Sequence, residues 1–233
     1  MRATHLLIAL APMMGLAAAA QAQSSTVLAR NPACKQTATV QFLDCEVDQV
    51  ISCPQEAGLP GPYFRDELYS SQGLFTVALS NTDGWEFAEA DPSGTFAMLF
   101  DSTKSKGTPV AELTATGKGS FHGEGQVMTP QGSGKVTMDV SVKVTGNKMT
   151  LNGVEFDEVK VTSASAFPPP IGISNTVTKA YLVPKLGYSI EGEAISGTGF
   201  DPKAPPHRPM SIALPGTPEF VTTKPAFCSS NLG

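Results

Sequence analysis

A strict two-residue alternation in residues 135–145 restricts the fold more than any other feature. Val136, Met138, Val140, Val142 and Val144 fall on one side, and Lys135, Thr137, Asp139, Ser141, Lys143 and Thr145 on the other. A period of two marks a strand with one buried and one wet face, and a helix cannot satisfy it. The rhythm recurs across residues 74–195. Phe75, Val77 and Leu79 alternate with Thr76, Ala78 and Ser80, and Trp85 and Phe87 continue beyond the turn Asn81-Thr82-Asp83-Gly84. Phe96, Met98 and Phe100 make a further stripe, and Leu113 and Ala115 read as one face of another strand, turned by Gly117-Lys118-Gly119. Gly146-Asn147 reads as a turn into a short strand over residues 148–151. Asn152-Gly153 is a hairpin signal, because both central positions of a type I′ turn need positive φ. Beyond it the apolar parity slips from Val154 and Phe156 to Val159 and Val161, which predicts a β-bulge at Asp157-Glu158. Residues 176–183 and 188–195 read as two strands joined through Pro184-Lys185-Leu186-Gly187. Pro168-Pro169-Pro170 is a stiff connector, and residues 62–70 are the best helical candidate. Fused hairpins of this kind predict an all-β protein: a single strongly curved antiparallel sheet, half-barrel or barrel.

The first 22 residues read as a signal peptide. Arg2 provides the positive start, residues 6–20 are apolar, and Ala20-Gln21-Ala22 offers the small residues a signal peptidase accepts. Residues 23–199 then form the β domain, and residues 200–233 a Pro-rich tail, with seven prolines between 202 and 225. Without the leader, 15 Lys+Arg face 21 Asp+Glu, a net charge of −6. That balance argues against a nucleic-acid or anionic-membrane partner. No later run of 18 apolar residues suggests a transmembrane anchor. The alanine-rich leader points to the periplasm, with secretion to the medium as the alternative.

All four cysteines (Cys34, Cys45, Cys53 and Cys228) follow the leader, and an even count in an exported chain favours two disulfides. An extended segment between Cys34 and Cys45 would hold them too far apart to bond. This favours Cys45–Cys53 with Cys34–Cys228. A hairpin fold-back would instead allow Cys34–Cys53 with Cys45–Cys228.

The run Asn152-Gly153-Val154-Glu155-Phe156-Asp157-Glu158-Val159-Lys160-Val161, followed by Tyr181-Leu182-Val183-Pro184-Lys185-Leu186-Gly187-Tyr188-Ser189-Ile190-Glu191, resembles a group of uncharacterised exported bacterial β-proteins. In them a Gly-x-Phe-x-x-Val-x-Val strand precedes a Tyr-x-x-Pro-x-Leu-Gly strand pair. Such proteins are similar in outline to half-barrel periplasmic lipoprotein carriers. The resemblance covers about 40 residues and implies architecture rather than chemistry.

Familiar catalytic signatures are missing: no G-x-S-x-G, S-x-x-K, H-E-x-x-H, P-loop or G-x-G-x-x-G. Nothing indicates a cofactor or a metal. In Ser120-Phe121-His122-Gly123-Glu124-Gly125-Gln126 a strand would set His122 and Glu124 on one face as an acid–base pair, the basis of an alternative reading as a hydrolase or lyase. Gly123 and Gly125 would leave a trough on the opposite face. His207, between prolines, reads as a solvated loop histidine. The acids Asp44, Glu46 and Asp48, then Asp66 and Glu67, then Asp83, Glu86, Glu89 and Asp91, read as solvated groups beside turns. The aromatics Trp85, Phe87, Phe96, Phe100, Phe121, Tyr181 and Tyr188 are candidates to line a groove for a lipid or other apolar ligand. The leading expectation is therefore a non-catalytic exported protein that binds an apolar ligand or an envelope partner. A purely structural envelope protein is the remaining alternative.

Overall fold

The computed structural model describes residues 27–228 except 58, 60 and 131. The expected signal peptide, residues 1–22, lies outside the described residues. Among the described residues thirteen strands form one antiparallel sheet: β1 (Lys35–Phe42), β2 (Val47–Cys53), β3 (Tyr63–Ser70), β4 (Gly73–Asn81), β5 (Glu86–Ala90), β6 (Ala97–Phe100), β7 (Lys106–Gly107), β8 (Lys118–Thr129), β9 (Gly132–Leu151), β10 (Val154–Ala166), β11 (Ile173–Val183), β12 (Tyr188–Gly197) and β13 (Pro209–Ala213). Their order is β12-β11-β10-β9-β8-β6-β5-β4-β3-β2-β1-β13, with β7 beside β8. The sheet rolls into a nearly closed barrel with one seam between its end strands. Tyr188 and Ile190 of β12 pack there with Val40 and Phe42 of β1 and Ile212 of β13, so side chains rather than backbone pairing close the roll.

Local chemistry accounts for most of the strands. Asn152 and Gly153 have φ of 49° and 77°, as the β9–β10 hairpin requires. The register between β9 and β10 shifts between Asp157 and Val159, at the predicted bulge. Pro184 to Gly187 join β11 to β12. Three local readings need correction. Within the helical candidate, residues 63–70 are strand β3; paired with β2 and β4, their backbone is satisfied by the ladder. The expected turn at Gly146-Asn147 is absorbed into one 20-residue strand, β9. Residues 110–116 are the helix α1 (Val110–Thr116), closed by Gly117 in the left-handed region, whose N–H donates to the Leu113 carbonyl. Only Leu113 of α1 is buried, so the helix leaves no 3.6-residue apolar pattern to read.

The Pro-rich tail is tied to the barrel by a disulfide, through Cys228, and also contributes to the sheet. Residues 209–213 supply β13 and pair with β1, while residues 218–226 lie over the outer face of β1 and β2. Buried Thr39, Gln41 and Gln49 hold them there: Gln41 Nε2 donates to the Lys224 carbonyl at 3.2 Å, and Gln41 Oε1 accepts from the Ala226 N–H at 2.8 Å. The disulfides are Cys34–Cys53 and Cys45–Cys228, not the favoured pairing. β1 and β2 fold back as a hairpin, which brings Lys35 opposite Ser52 and leaves Cys45 at the turn. Two disulfides fit an oxidising extracellular or periplasmic compartment. Among the described residues no helix is long and apolar enough to cross a membrane.

Candidate functional site

Which face of each strand turns inward determines the site. On β2 to β5 the apolar stripe lies outside: Ile51, Tyr63, Val77, Leu79, Phe87 and Ala88 pack beneath Val27 and Leu28 of the N-terminal segment. Arg65, 2% exposed, pins that segment by donating to the Val27 carbonyl at 2.6 Å and the Leu28 carbonyl at 2.9 Å, and it pairs with Glu67 at 2.7 Å. Because side chains alternate, the positions between them point into the barrel, and these carry Asp48, Asp66, Glu86 and Glu89. The expectation of solvated acids beside turns is therefore corrected for these four, and also for Glu67, which is buried against Arg65. The opposite wall is apolar, from β6 and β8 to β10, with Phe100, Phe121, Met138, Val140 and Val161.

Between the walls lies a cavity of ≈ 290 Å³, near the lower end of the range for small-ligand sites, ~300–1,000 Å³. Trp85 stacks on Phe121 with centroids 5.3 Å apart, and Phe100 meets Phe121 edge-on at 5.7 Å. The Trp85 indole donates to the Thr108 carbonyl at 2.7 Å, which fixes its ring. Gly123 and Gly125 make room for this cluster. A Cβ on Gly123 would come within 2.8 Å of the Phe100 and Phe121 rings, and one on Gly125 would collide with the Leu99 carbonyl. The trough read from those glycines is filled by the protein's own aromatics at Gly123 and by the β6 backbone at Gly125.

Asp48 and Asp66 face each other across Tyr188, whose hydroxyl lies 2.5 Å from Asp66 Oδ1 and 3.2 Å from Asp48 Oδ2. Asp48 is 4% exposed, and its Oδ1 has no hydrogen-bond partner among the described residues. Burial pushes the Asp66 carboxyl up to about 7 despite the Tyr188 hydrogen bond and the charge of Arg65. Burial, then the Asp66 charge, raise Asp48 well above the usual carboxylate range. Burial and the charges of Glu191 and Asp91 raise Glu89 to about 7, and burial with the charges of Glu89 and Glu191 raises Glu86 well above the usual carboxylate range.

A neighbouring cavity of ≈ 380 Å³ shares Glu86, Glu191 and His207 with the lumen and reaches Asp44 and Glu46. His207 is not a solvated loop histidine. Its side chain is 19% exposed, its ring stacks on Phe42 at 3.9 Å, and its Nδ1 lies 2.9 Å from Asp44 Oδ2 and 3.4 Å from Glu46 Oε2. Burial opposes protonation of His207, but the Asp44 hydrogen bond and surrounding acids raise its pKa overall.

Of the aromatics singled out from sequence, Trp85, Phe100, Phe121 and Tyr188 line the lumen. Phe96 packs against the same aromatic cluster. Phe87 lies under the N-terminal segment, edge-on to Tyr63, and Tyr181 belongs to the packing that closes the seam. The inward acids and His207 were missed as site residues. The one available signal was that Asp48, Asp66, Glu86 and Glu89 each sit one position from an apolar stripe.

His122 and Glu124 share the outer face of β8, as expected. His122 Nδ1 lies 2.7 Å from Asp139 Oδ1, and its Nε2 lies 3.8 Å from Glu124 Oε1. The three side chains are 48%, 50% and 72% exposed, His122 and Asp139 bordering an open depression of ≈ 970 Å³. Asp139 can orient the imidazole and leave Nε2 for proton exchange, but water reaches every member of the trio. No family model matches the chain, and neither a curated protein nor a solved structure matches it.

Proposed function

We propose that this is an exported, periplasmic binding protein without catalytic activity, whose lumen takes a small ligand with an apolar body and a cationic end. The observation that carries the reading is the two-sided lumen. Phe100, Phe121, Trp85 and Met138 offer an apolar wall, while Asp48, with an unpaired and buried carboxylate oxygen, stands with Asp66 and Glu86 on the other. An apolar body gains from leaving water, and a cation would satisfy buried carboxylates that otherwise favour their neutral forms. The aromatic faces of Trp85 and Phe121 can also stabilise a cation. The architecture read from the Asn152–Val161 and Tyr181–Glu191 motifs suits a carrier of this kind.

Trp85, the only tryptophan, reports directly on the lumen. Titration with octylamine, octanol and octanoate should change its fluorescence most tightly with the amine and least with the carboxylate. Equal responses, or none, would refute the reading. A second reading, docking to an envelope partner, draws on Ile171, Ile173, Ile195 and Phe200, which are 40%, 71%, 40% and 39% exposed at one end of β10 to β12. In-cell crosslinking from position 173 would test it, and recovery of monomer alone would discard it.

A further inference from the structure

We propose that Asp44, Glu46 and His207 form a binding site for a divalent transition-metal ion of the zinc type, at the margin of the lumen, where His207 borders both cavities. Asp44 and Glu46 flank Cys45 in the turn between β1 and β2, and His207 lies two residues before β13. Distant parts of the chain lock the turn. Cys45 is bonded to Cys228, the Cys45 N–H donates to the Phe227 carbonyl at 3.1 Å, and the Leu43 N–H donates to the Arg208 carbonyl at 3.0 Å. The His207 ring is held flat against Phe42. The site is thus built on covalent and backbone restraints, not on loose surface side chains.

The geometry suits coordination. One donor atom from each residue lies within 4.8 Å of the others, and Nδ1 of His207 is 2.9 Å and 3.4 Å from the two carboxylate oxygens. Metal bonds of about 2.0–2.2 Å to nitrogen and oxygen separate neighbouring donors by roughly 3–3.5 Å. Asp44 Oδ1 is buried with no hydrogen-bond partner among the described residues, an oxygen left over after the pairing with His207. The acids outnumber the cation: Glu191 adds its charge to those of Asp44 and Glu46, against one imidazole. One imidazole and two carboxylates suit zinc or its first-row neighbours, whereas calcium and magnesium favour oxygen ligands alone. Three protein ligands would leave a coordination position open, and all three residues border the acid-lined cavity.

The test is calorimetric titration of tag-free, disulfide-intact full-length protein with Zn2+, and visible absorption after loading with Co2+. Wild type should bind one ion per chain with a higher unfolding temperature, and bound Co2+ should show low-symmetry d–d bands. Asp44→Asn, Glu46→Gln and His207→Gln should each weaken affinity at least tenfold, while the lumen variant Asp66→Asn keeps it within twofold. Unfolding curves without metal establish that each variant is folded, and any two of the three suffice for the comparison. Absence of stoichiometric uptake in wild type, unchanged affinity in the folded site variants, or loss caused by Asp66→Asn alone would each overturn the site. Failure of octylamine to bind bears on the lumen and leaves this result untouched.

Discussion

Replacing Asp66 with Asn should flatten the dependence of stability on pH, because this carboxyl is buried where its charge is disfavoured. In the unfolded chain it ionises at its ordinary value of 3.8, whereas in the barrel it holds its proton up to about 7. Below pH 4 both states are protonated and the group's contribution to folding is fully present. Between pH 4 and 7 the unfolded chain gives up the proton first, so the contribution falls away as pH rises. At about 1.4 kcal/mol per pH unit, the loss amounts to as much as roughly 4 kcal/mol by pH 8. The Asn side chain is uncharged at every pH, and its carbonyl can still accept the Tyr188 hydroxyl. Urea unfolding followed by Trp85 fluorescence, with both disulfides intact, should therefore show near-equal stability of the two proteins at pH 4. At pH 8 the variant should be the more stable by about 2–4 kcal/mol. A wild type that gains stability from pH 4 to 7, or a variant destabilised equally at every pH, would show that Asp66 is not held as described.

Four further outcomes follow from the packing. Arg65→Met should destabilise the fold by about 3–5 kcal/mol, since it leaves Glu67 without its buried partner and frees the carbonyls of Val27 and Leu28; chemical denaturation measures this, and a loss under ~1 kcal/mol would contradict it. Gly125→Ala should be much more damaging than Gly119→Ala, because the first Cβ meets strand backbone and the second meets only the side chains of Thr108 and Leu113; equal melting temperatures would count against the β6–β8 geometry. Removing Cys45–Cys228 as a serine pair should cost roughly 5 kcal/mol against roughly 3 for Cys34–Cys53, since they bridge 183 and 19 residues; the reverse order would argue that the tail is held mainly by Gln41 and Gln49. His122→Ala should leave the unfolding midpoint unchanged, given its solvated outer-face position, and a clear drop would reveal a structural role for its contact with Asp139.

Much of the strand content is legible without coordinates. Alternation over residues 135–145, positive φ at Asn152-Gly153 and the parity slip at Asp157 each depend only on backbone preferences within a few residues. The helix α1 escaped because seven residues with one buried side chain carry no periodic signal. The lumen escaped for a different reason. Alternation marks two faces but not which becomes the interior, and on β3 that choice separates Arg65 from Asp66.

What the sequence alone determined is a chain of antiparallel hairpins tied by disulfides, because turn chemistry and side-chain period act locally. What tertiary structure decided is the content of the barrel. The N-terminal segment covers the outer apolar stripe of β2 to β5 and so directs four acids inward, and the pairing of β13 with β1 carries His207 to Asp44, 163 residues away. Both depend on segments that meet only when the roll closes, and burial, which sets the chemistry of those carboxyls, does not exist before that contact.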